Sequence, residues 1–395
     1  SATFVATTTT SYIGITNYAT TNGAYSSIDS VSVKENQIFT LEGNASVFQP
    51  PVDESGPFGY LAEKASTNLM LQSEDFTTSW GANAGALSTV SEINPEGTAS
   101  VTKITATTAT TEQKIYQSFV HAAGSYSLSC YVKDAGIRYV SLMYIISGDT
   151  FQATFDLQSG TLTASQGTGS ATLIGATITL KSNGWYKISV SGISANTSGY
   201  FWVNLRQEGG LGRPSFLGDG TSGVYIWGAQ LEKSTYPTSY IATTTTAVTR
   251  NADVLIAGDM VTDAAGSGYA ESSSIWTTSP LNNFLLTRDA NGRILYANSN
   301  QPSTLIRGYA GTTIVLSPVG TSYQNRPAPM ASTWGNNLTV YKDGVGGTAG
   351  SYNGTMGTGN LGIGNDNSGG FQWDGTVREV KIFDSELTAE EVGDL

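Results

Sequence analysis

Hydrophobic and polar residues alternate with a period of two in many short segments of the chain. Residues 151–157, 186–190 and 201–205 each place apolar side chains at every second position. This spacing is typical of strands that bury one face against a core and expose the other. Turn signals separate the segments: Ser-Asn-Gly at 182–184, Gly-Asp-Gly at 218–220 and Lys-Asp-Gly at 342–344. The pattern predicts an all-β protein.

Two segments depart from simple alternation. Residues 223–228, Gly-Val-Tyr-Ile-Trp-Gly, are apolar on both faces of a strand, which predicts a central strand covered on both sides. Near the C-terminus, Thr388 is followed three residues later by Glu391, the spacing of a capping box. We therefore expect one short helix at the end of the chain.

The chain divides by composition into three segments. Its 395 residues are too many for one ordinary core, and 10% aromatic residues argue against disorder. Residues 1–57 are rich in Thr and Ser and predict an N-terminal arm or a small β anchoring segment. Residues 58–249 are dense in aromatic strands, and a Thr-rich stretch leads from them to a third domain at 250–395.

Charge and cysteine content exclude several classes of protein. The net charge of −12 and the lack of any basic run argue against nucleic acid as a partner. The start of the chain lacks the basic and apolar segments of a signal peptide, and no stretch is long enough to span a bilayer, so we expect no membrane insertion. Cys130 is the single cysteine and alternates with apolar residues, which predicts a buried thiol and assembly in a reducing cytoplasm.

Catalytic motifs are missing from the sequence. His121 is the only histidine, and no nucleophile elbow, zinc-spaced ligand set or phosphate-binding glycine loop is present. A glycosidase carboxylate pair remains open, because the 31 acidic residues offer many pairs and none stands out. We expect a protein that is not an enzyme.

Aromatic and acidic side chains near predicted loops are the candidate binding residues. Flat aromatic rings can stack on sugars, and most buried Trp simply fill a core; the candidates for glycan contact are Trp202 on the polar side of its strand, Trp334, Tyr352 and Trp373. Asp366 and Asp374, in and near an Asn-rich loop, could bind calcium through oxygen ligands. As ordinary turn residues they need no metal, and this is the favoured interpretation, so no cofactor is expected.

The middle segment resembles a family of phage virion proteins described as head spike or head fibre proteins. The resemblance is carried, in order, by residues 59–69, 72–76, 80, 127–133, 183–186, 220–232, 237–241 and 249–253. It implies a jelly-roll sandwich similar to carbohydrate-binding modules, displayed on a virion. The implied partners are phage capsid or tail proteins, other copies of the chain in a trimer, and host surface polysaccharide. Attachment to the head and attachment to the tail of the particle both stay open.

The third segment resembles laminin-G or concanavalin A-like domains. The resemblance is carried by residues 337–344, 361–364, 373–383 and 387–392. Arg378 stands where such domains often have an acidic residue, so no metal site is expected at this position. The expected fold is therefore a pair of antiparallel β-sandwiches, a jelly roll followed by a concanavalin A-like sandwich, with a β-rich N-terminal segment and a short C-terminal helix.

Together, these resemblances and the missing catalytic motifs imply a structural protein of the phage surface that also binds host glycans. It would assemble in the host cytoplasm and work on the released particle. The alternatives are a tail fibre or receptor-binding protein and a polysaccharide-degrading enzyme.

Overall fold

A computed structural model describes residues 60–276, 279, 282–366 and 370–395, together with the backbone of four short strands that precede residue 60. The chain folds into two units, each with its own set of sheets. The central unit comprises Pro51–Glu54 and Ser66–Arg250. The composite unit comprises Ser1–Pro50, Ser55–Ala65 and Asn251–Leu395.

The described elements are almost entirely strands. Up to residue 135 they are β1 Thr3–Val5, β2 Ser11–Ile13, β3 Val31–Val33, β4 Ile38–Glu42, β5 Tyr60–Ala62, β6 Ser66–Asn68, β7 Gly81–Asn83, β8 Gly85–Ile93, β9 Ala99–Ala106, β10 Thr110–Thr111, β11 Lys114–Val120 and β12 Gly124–Ala135. Up to residue 250 they are β13 Tyr139–Ile146, β14 Asp149–Asp156, β15 Thr161–Thr168, β16 Thr172–Leu180, β17 Tyr186–Ser194, β18 Ser198–Arg206, β19 Phe216–Leu217, β20 Gly223–Glu232 and β21 Val248–Arg250.

The remaining elements are β22 Val254–Ala257, β23 Gly266–Ser274, β24 Asn283–Thr287, β25 Gly292–Ala297, β26 Arg307–Ala310, β27 Thr313–Leu316, β28 Ala328–Trp334, β29 Asn337–Lys342, β30 Val345–Gly346, β31 Gly350–Ser351, β32 Leu361–Ile363, β33 Gly375–Phe383 and the helix α1 Ala389–Gly393. Ser182–Gly184 forms one turn of 3₁₀-helix. The described part of the chain contains no helix with the length and apolar character that a membrane span requires.

The described residues of the central unit form two six-stranded antiparallel sheets and two short strand pairs, β10-β19 and β6-β21. The first sheet has the strand order β15-β14-β13-β18-β11-β7, and the second has the order β16-β17-β12-β20-β9-β8. Apolar residues from both sheets form one buried cluster, which includes Phe151 and Phe201 from the first sheet and Val132 and Ile188 from the second. The predicted alternation therefore produces a sandwich, and β20 lies inside its sheet as predicted, between β12 and β9.

Cys130 lies in this core, as predicted. It is fully buried on β12, and that burial raises the pKa of its thiol far above the ordinary range. Because the thiolate is the reactive form of cysteine, this residue serves packing in the folded chain.

The described strands of the composite unit form two larger sheets. One has the order β1-β4-β22-β32-β24-β25-β26-β27, and the other runs β2-β3-β33-β23-β28-β29-β30. The strand β5 pairs antiparallel with β33, so Tyr60 lies opposite Val377. The strand β5 thus belongs to the composite unit, and the central unit resumes at Ser66.

The local signals read from the sequence form the expected structures. Asn183 and Gly184 have positive φ angles of 57° and 75°, as do Asp343 and Gly344, at 52° and 75°. These left-handed conformations suit Asn, Asp and Gly. Thr388 and Glu391 form the predicted capping box at the start of α1. The all-β fold class with a short C-terminal helix is confirmed.

Candidate functional site

Three aromatic side chains meet on the outer face of the first sheet. Along β18, Phe201 and Val203 are buried in the core, so the alternating residues Tyr200 and Trp202 point outward. On the neighbouring β11, Tyr116 lies directly opposite Trp202. We call Tyr116, Tyr200 and Trp202 the aromatic cluster.

The rings of the aromatic cluster form a compact patch. Ring centroids lie 6.0 Å apart for Tyr116 and Tyr200, and 6.3 Å apart between Trp202 and each tyrosine. Tyr200 is 37% exposed, and the other two side chains are half-buried. A Cβ at Gly81 would lie 2.5 Å from Cζ of Tyr116, so the glycine on the edge strand lets this ring lie across it. The cluster offers a partly exposed apolar surface on a rigid sheet.

Two cations flank Trp202. The Lys114 Nζ lies 3.4 Å from the centroid of the indole ring, and the Arg213 Cζ lies 5.6 Å from it. Both distances are within the range of cation–π attraction. The Glu112 carboxylate accepts from Lys114 at 2.5 Å and lies 3.8 Å from Arg213 Nε. Two cations and one carboxylate therefore lie around the Trp202 indole.

A loop formed by residues 207–213 holds Arg213 in this position. Arg206 donates to three carbonyl oxygens of the loop, those of Glu208, Leu211 and Gly212, at 3.2, 3.1 and 2.7 Å. Arg206 is 1% exposed, and burial lowers the pKa of its guanidinium. Gln152, on β14, accepts from the Gly212 amide at 3.1 Å. These contacts fix the loop on the outer face of the first sheet.

A cleft of about 400 Å³ lies at one rim of the central unit. Arg138, which lines it, donates to both carboxylate oxygens of Asp156 at 2.9 and 2.6 Å. The guanidinium is the main reason that the pKa of Asp156 lies well below its usual range. Asp219 also lines the cleft, and hydrogen bonds from its own turn, first from the Ser222 side chain, lower its pKa. Arg138 is thus engaged with Asp156, and Asp219 with residues of its own turn.

The other candidate aromatic residues belong to the composite unit. Trp334 and Trp373 are fully buried, and their indole N–H groups donate to the carbonyls of Thr262 at 2.8 Å and Ser273 at 2.9 Å. Tyr352 is half-buried and donates to the Asp263 carbonyl. Burial raises the pKa of Tyr352 to about 12. A buried ring presents no face to a sugar, so Trp334 and Trp373 are not available for stacking, whereas Trp202 is half-buried.

The two candidate metal ligands have local hydrogen-bond partners. Asp374 accepts from the Lys64 amide at 3.1 Å and from Asn283 Nδ2 at 3.4 Å. Asp366 accepts from the Gly370 amide at 2.8 Å; positions 367 and 368 of the same loop lie outside the described residues. Within the described ranges, no group of three or more His, Cys, Asp or Glu side chains is placed to hold a metal ion. These contacts are those of turn residues.

His121 lies in the core of the central unit. Its Nδ1 lies 2.7 Å from the Ala122 carbonyl, which only accepts, so Nδ1 carries a proton. Its Nε2 lies 3.1 Å from the Tyr144 hydroxyl, which in turn contacts Ser194 at 2.7 Å. Tyr144 and Ser194 have no exposed surface, so this network is placed to stabilise the sandwich.

Sequence reasoning found Trp202 and missed its neighbours. Tyr200 stands two residues before Trp202, and alternation alone puts both on one face. Tyr116 and Arg213 carry no such signal, because the register between β11 and β18 and the path of the 207–213 loop bring them to the indole.

The comparison with protein families matches one part of the composite unit. Residues 272–393 match the family described as the concanavalin A-like lectin/glucanases superfamily. The C-terminal part of the chain therefore carries a laminin-G/concanavalin A-like domain. A comparison with curated protein sequences gave no match.

Two solved structures align with much of the chain. A sialidase from Trypanosoma rangeli in complex with sialic acid is 14% identical, with a TM-score of 0.27; the match covers 74% of this chain and 59% of the sialidase chain. Domains LG4-5 of the mouse laminin α1 chain are 11% identical, with a TM-score of 0.24; the match covers 86% of this chain and 93% of that one.

Proposed function

We propose that the chain is a non-catalytic glycan-binding protein and that the aromatic cluster on the central unit is a binding surface. The observation that carries the proposal is the meeting of Tyr116, Tyr200 and Trp202 on the outer face of the first sheet. Aromatic rings offer large apolar faces at low entropic cost, and the C–H faces of pyranoses can stack on them.

The concanavalin A-like domain in the composite unit supports a role in carbohydrate recognition. A chain with two sugar-binding sandwiches could bind a polysaccharide at both. Weak affinity at each would then be raised by the effective concentration of the second.

The setting we propose is the surface of a phage particle, where the chain would serve as a head spike or fibre, associate as a trimer and attach to host polysaccharide. Support comes from the resemblance of segments between residues 59 and 253 to virion proteins. Immunogold labelling of purified particles is expected to place the chain on the head. Label on the tail would favour the tail-fibre alternative, and particles without label would contradict the virion role. Release of shortened oligosaccharides from host polysaccharide would favour the enzyme alternative.

Replacing Tyr200 with alanine is expected to weaken glycan binding about tenfold, a loss of about 1.4 kcal/mol. Tyr200 is the most exposed ring of the aromatic cluster, so its removal takes away contact area while the core stays intact. Binding would be measured by calorimetry with glycans identified on an array.

The control is Tyr225→Ala, which removes a half-buried tyrosine from the outer face of the second sheet. It should leave affinity unchanged. Equal losses in both variants, or none in Tyr200→Ala, would contradict the assignment.

A further inference from the structure

The charges beside Trp202 do not balance. Lys114 and Arg213 share the single carboxylate of Glu112, which leaves this group one positive charge in excess. The chain as a whole has a net charge of −12, so this excess stands out against the rest of the protein. A local positive charge of this kind attracts anionic groups to the aromatic cluster.

Arg213 is the cation that a ligand can reach. Its side chain is 48% exposed, whereas that of Lys114 is 9% exposed and bonds to Glu112 at 2.5 Å. In the described part of the chain Arg213 makes no hydrogen bond, and its ion pair with Glu112 is long, at 3.8 Å. An exposed ion pair of this length contributes little to stability. A ligand carboxylate that binds Arg213 therefore gives up little energy from the pair with Glu112.

We infer that the aromatic cluster selects saccharides that bear a carboxylate, such as uronic acids, and that Arg213 binds that carboxylate. This inference rests on the proposed function of the same surface. A pyranose ring stacks on Tyr200 and Trp202, while its carboxylate accepts two parallel hydrogen bonds from the guanidinium. Neutral sugars gain the stacking contact alone.

The 207–213 loop prepares Arg213 for this role. Arg206 and Gln152 hold the loop at Leu211 and Gly212, directly before Arg213. The guanidinium carbon lies 5.6 Å from the centroid of the Trp202 indole, within the range of cation–π attraction. A side chain that is already positioned loses less conformational entropy when the ligand binds.

The test uses the full chain and pairs of ligands that differ only in charge. Oligogalacturonate, oligomannuronate and hyaluronan fragments would each be compared with their methyl esters by calorimetry. For at least one pair, the unmodified chain is expected to bind the acid about tenfold more tightly than the ester, since the ester cannot form the charge-assisted pair. Added salt should weaken binding of the acid more than binding of the ester.

Three variants separate charge from stacking. Arg213→Gln should bind acid and ester alike. Arg213→Lys keeps the positive charge but cannot donate two parallel hydrogen bonds to a carboxylate. It should retain part of the preference for the acid over the ester. Tyr200→Ala should weaken binding of both ligands by a similar factor.

The outcomes also separate the two proposals. Equal affinity of the unmodified chain for acid and ester, or an Arg213→Gln variant that keeps the preference, would overturn the inference and leave glycan binding standing. Failure of every acidic ligand to bind would overturn the inference. Failure of the neutral glycans on the array as well would overturn the proposed function.

Discussion

Replacing Glu232 with alanine is expected to lower the free energy of unfolding of the central unit by about 3–4 kcal/mol. The Glu232 side chain has no exposed surface, and its two oxygens accept four hydrogen bonds. Ser66 Oγ and Thr238 Oγ1 donate to Oε1, both at 2.5 Å. The Thr238 amide and Gln230 Nε2 donate to Oε2 at 2.9 and 2.8 Å.

The loss should be large because the donors stay buried after the carboxyl group is removed. An unsatisfied buried donor costs about 1–3 kcal/mol, and alanine leaves several of them at once. The same carboxyl group joins β6 to the end of β20 and to the segment that follows β20. The replacement should therefore also weaken the attachment of β6 and of the segment after β20 to the second sheet.

Scanning calorimetry would measure the effect as a fall of roughly 10 °C in the unfolding temperature of the central unit. Glu92→Ala is a matched control, because Glu92 forms an ion pair with Lys133 at 3.0 Å in which both side chains are 27% exposed. That replacement should cost about 1 kcal/mol or less. Similar shifts for the two variants would show that the buried network contributes little.

The local structure of this chain was largely predictable from its sequence. Alternation identified β14, β17 and β18, and predicted turns with left-handed backbone lie just before β17 and just after β29. These predictions succeed because a strand shows one face to a core and a tight turn requires Gly, Asn or Asp. Each depends on residues that are close together in the sequence.

The aromatic cluster was predictable only in part. Tyr116 and Trp202 are 86 positions apart and meet because β11 pairs with β18 in one register. A shift of that register by one residue would turn Tyr116 into the core. Neither composition nor alternation specifies which strands become neighbours, so the sequence identified Trp202 without the residues that surround it.

The burial of Trp334 and Trp373 shows a second limit. Each lies at or near the end of a strand, where alternation no longer indicates a face. Trp334 is accommodated by Gly266, at which a Cβ would lie 2.4 Å from the indole. Such a pairing of a large ring with a glycine on a neighbouring strand depends on the register between β23 and β28. The sequence alone therefore could not separate a core tryptophan from a surface one.

Replacing Trp373 with alanine is expected to lower the free energy of unfolding of the composite unit by about 3–5 kcal/mol. The Trp373 ring lies in an aromatic core, stacked on Tyr323 at 5.7 Å and edge-on to Trp276 at 5.6 Å. Because these rings pack against one another, truncation of Trp373 leaves a cavity among them. The Trp276 indole also donates to the Trp373 carbonyl at 3.0 Å. Trp373→Phe should cost less, since it keeps most of the packing and loses the hydrogen bond to Ser273.

Phe371→Ala provides the control for Trp373→Ala, because Phe371 is 49% exposed and stacks on Phe284 from the surface. Phe371→Ala should change the free energy of unfolding by about 1 kcal/mol or less. Trp373→Ala should lower the unfolding temperature of the composite unit, whereas Glu232→Ala should lower that of the central unit. Below the unfolding temperature of the composite unit, Trp373→Ala should bind glycans as the unmodified chain does, because a buried ring makes no contact with a ligand. Lost glycan binding with an unchanged unfolding temperature would instead identify Trp373 as a contact residue.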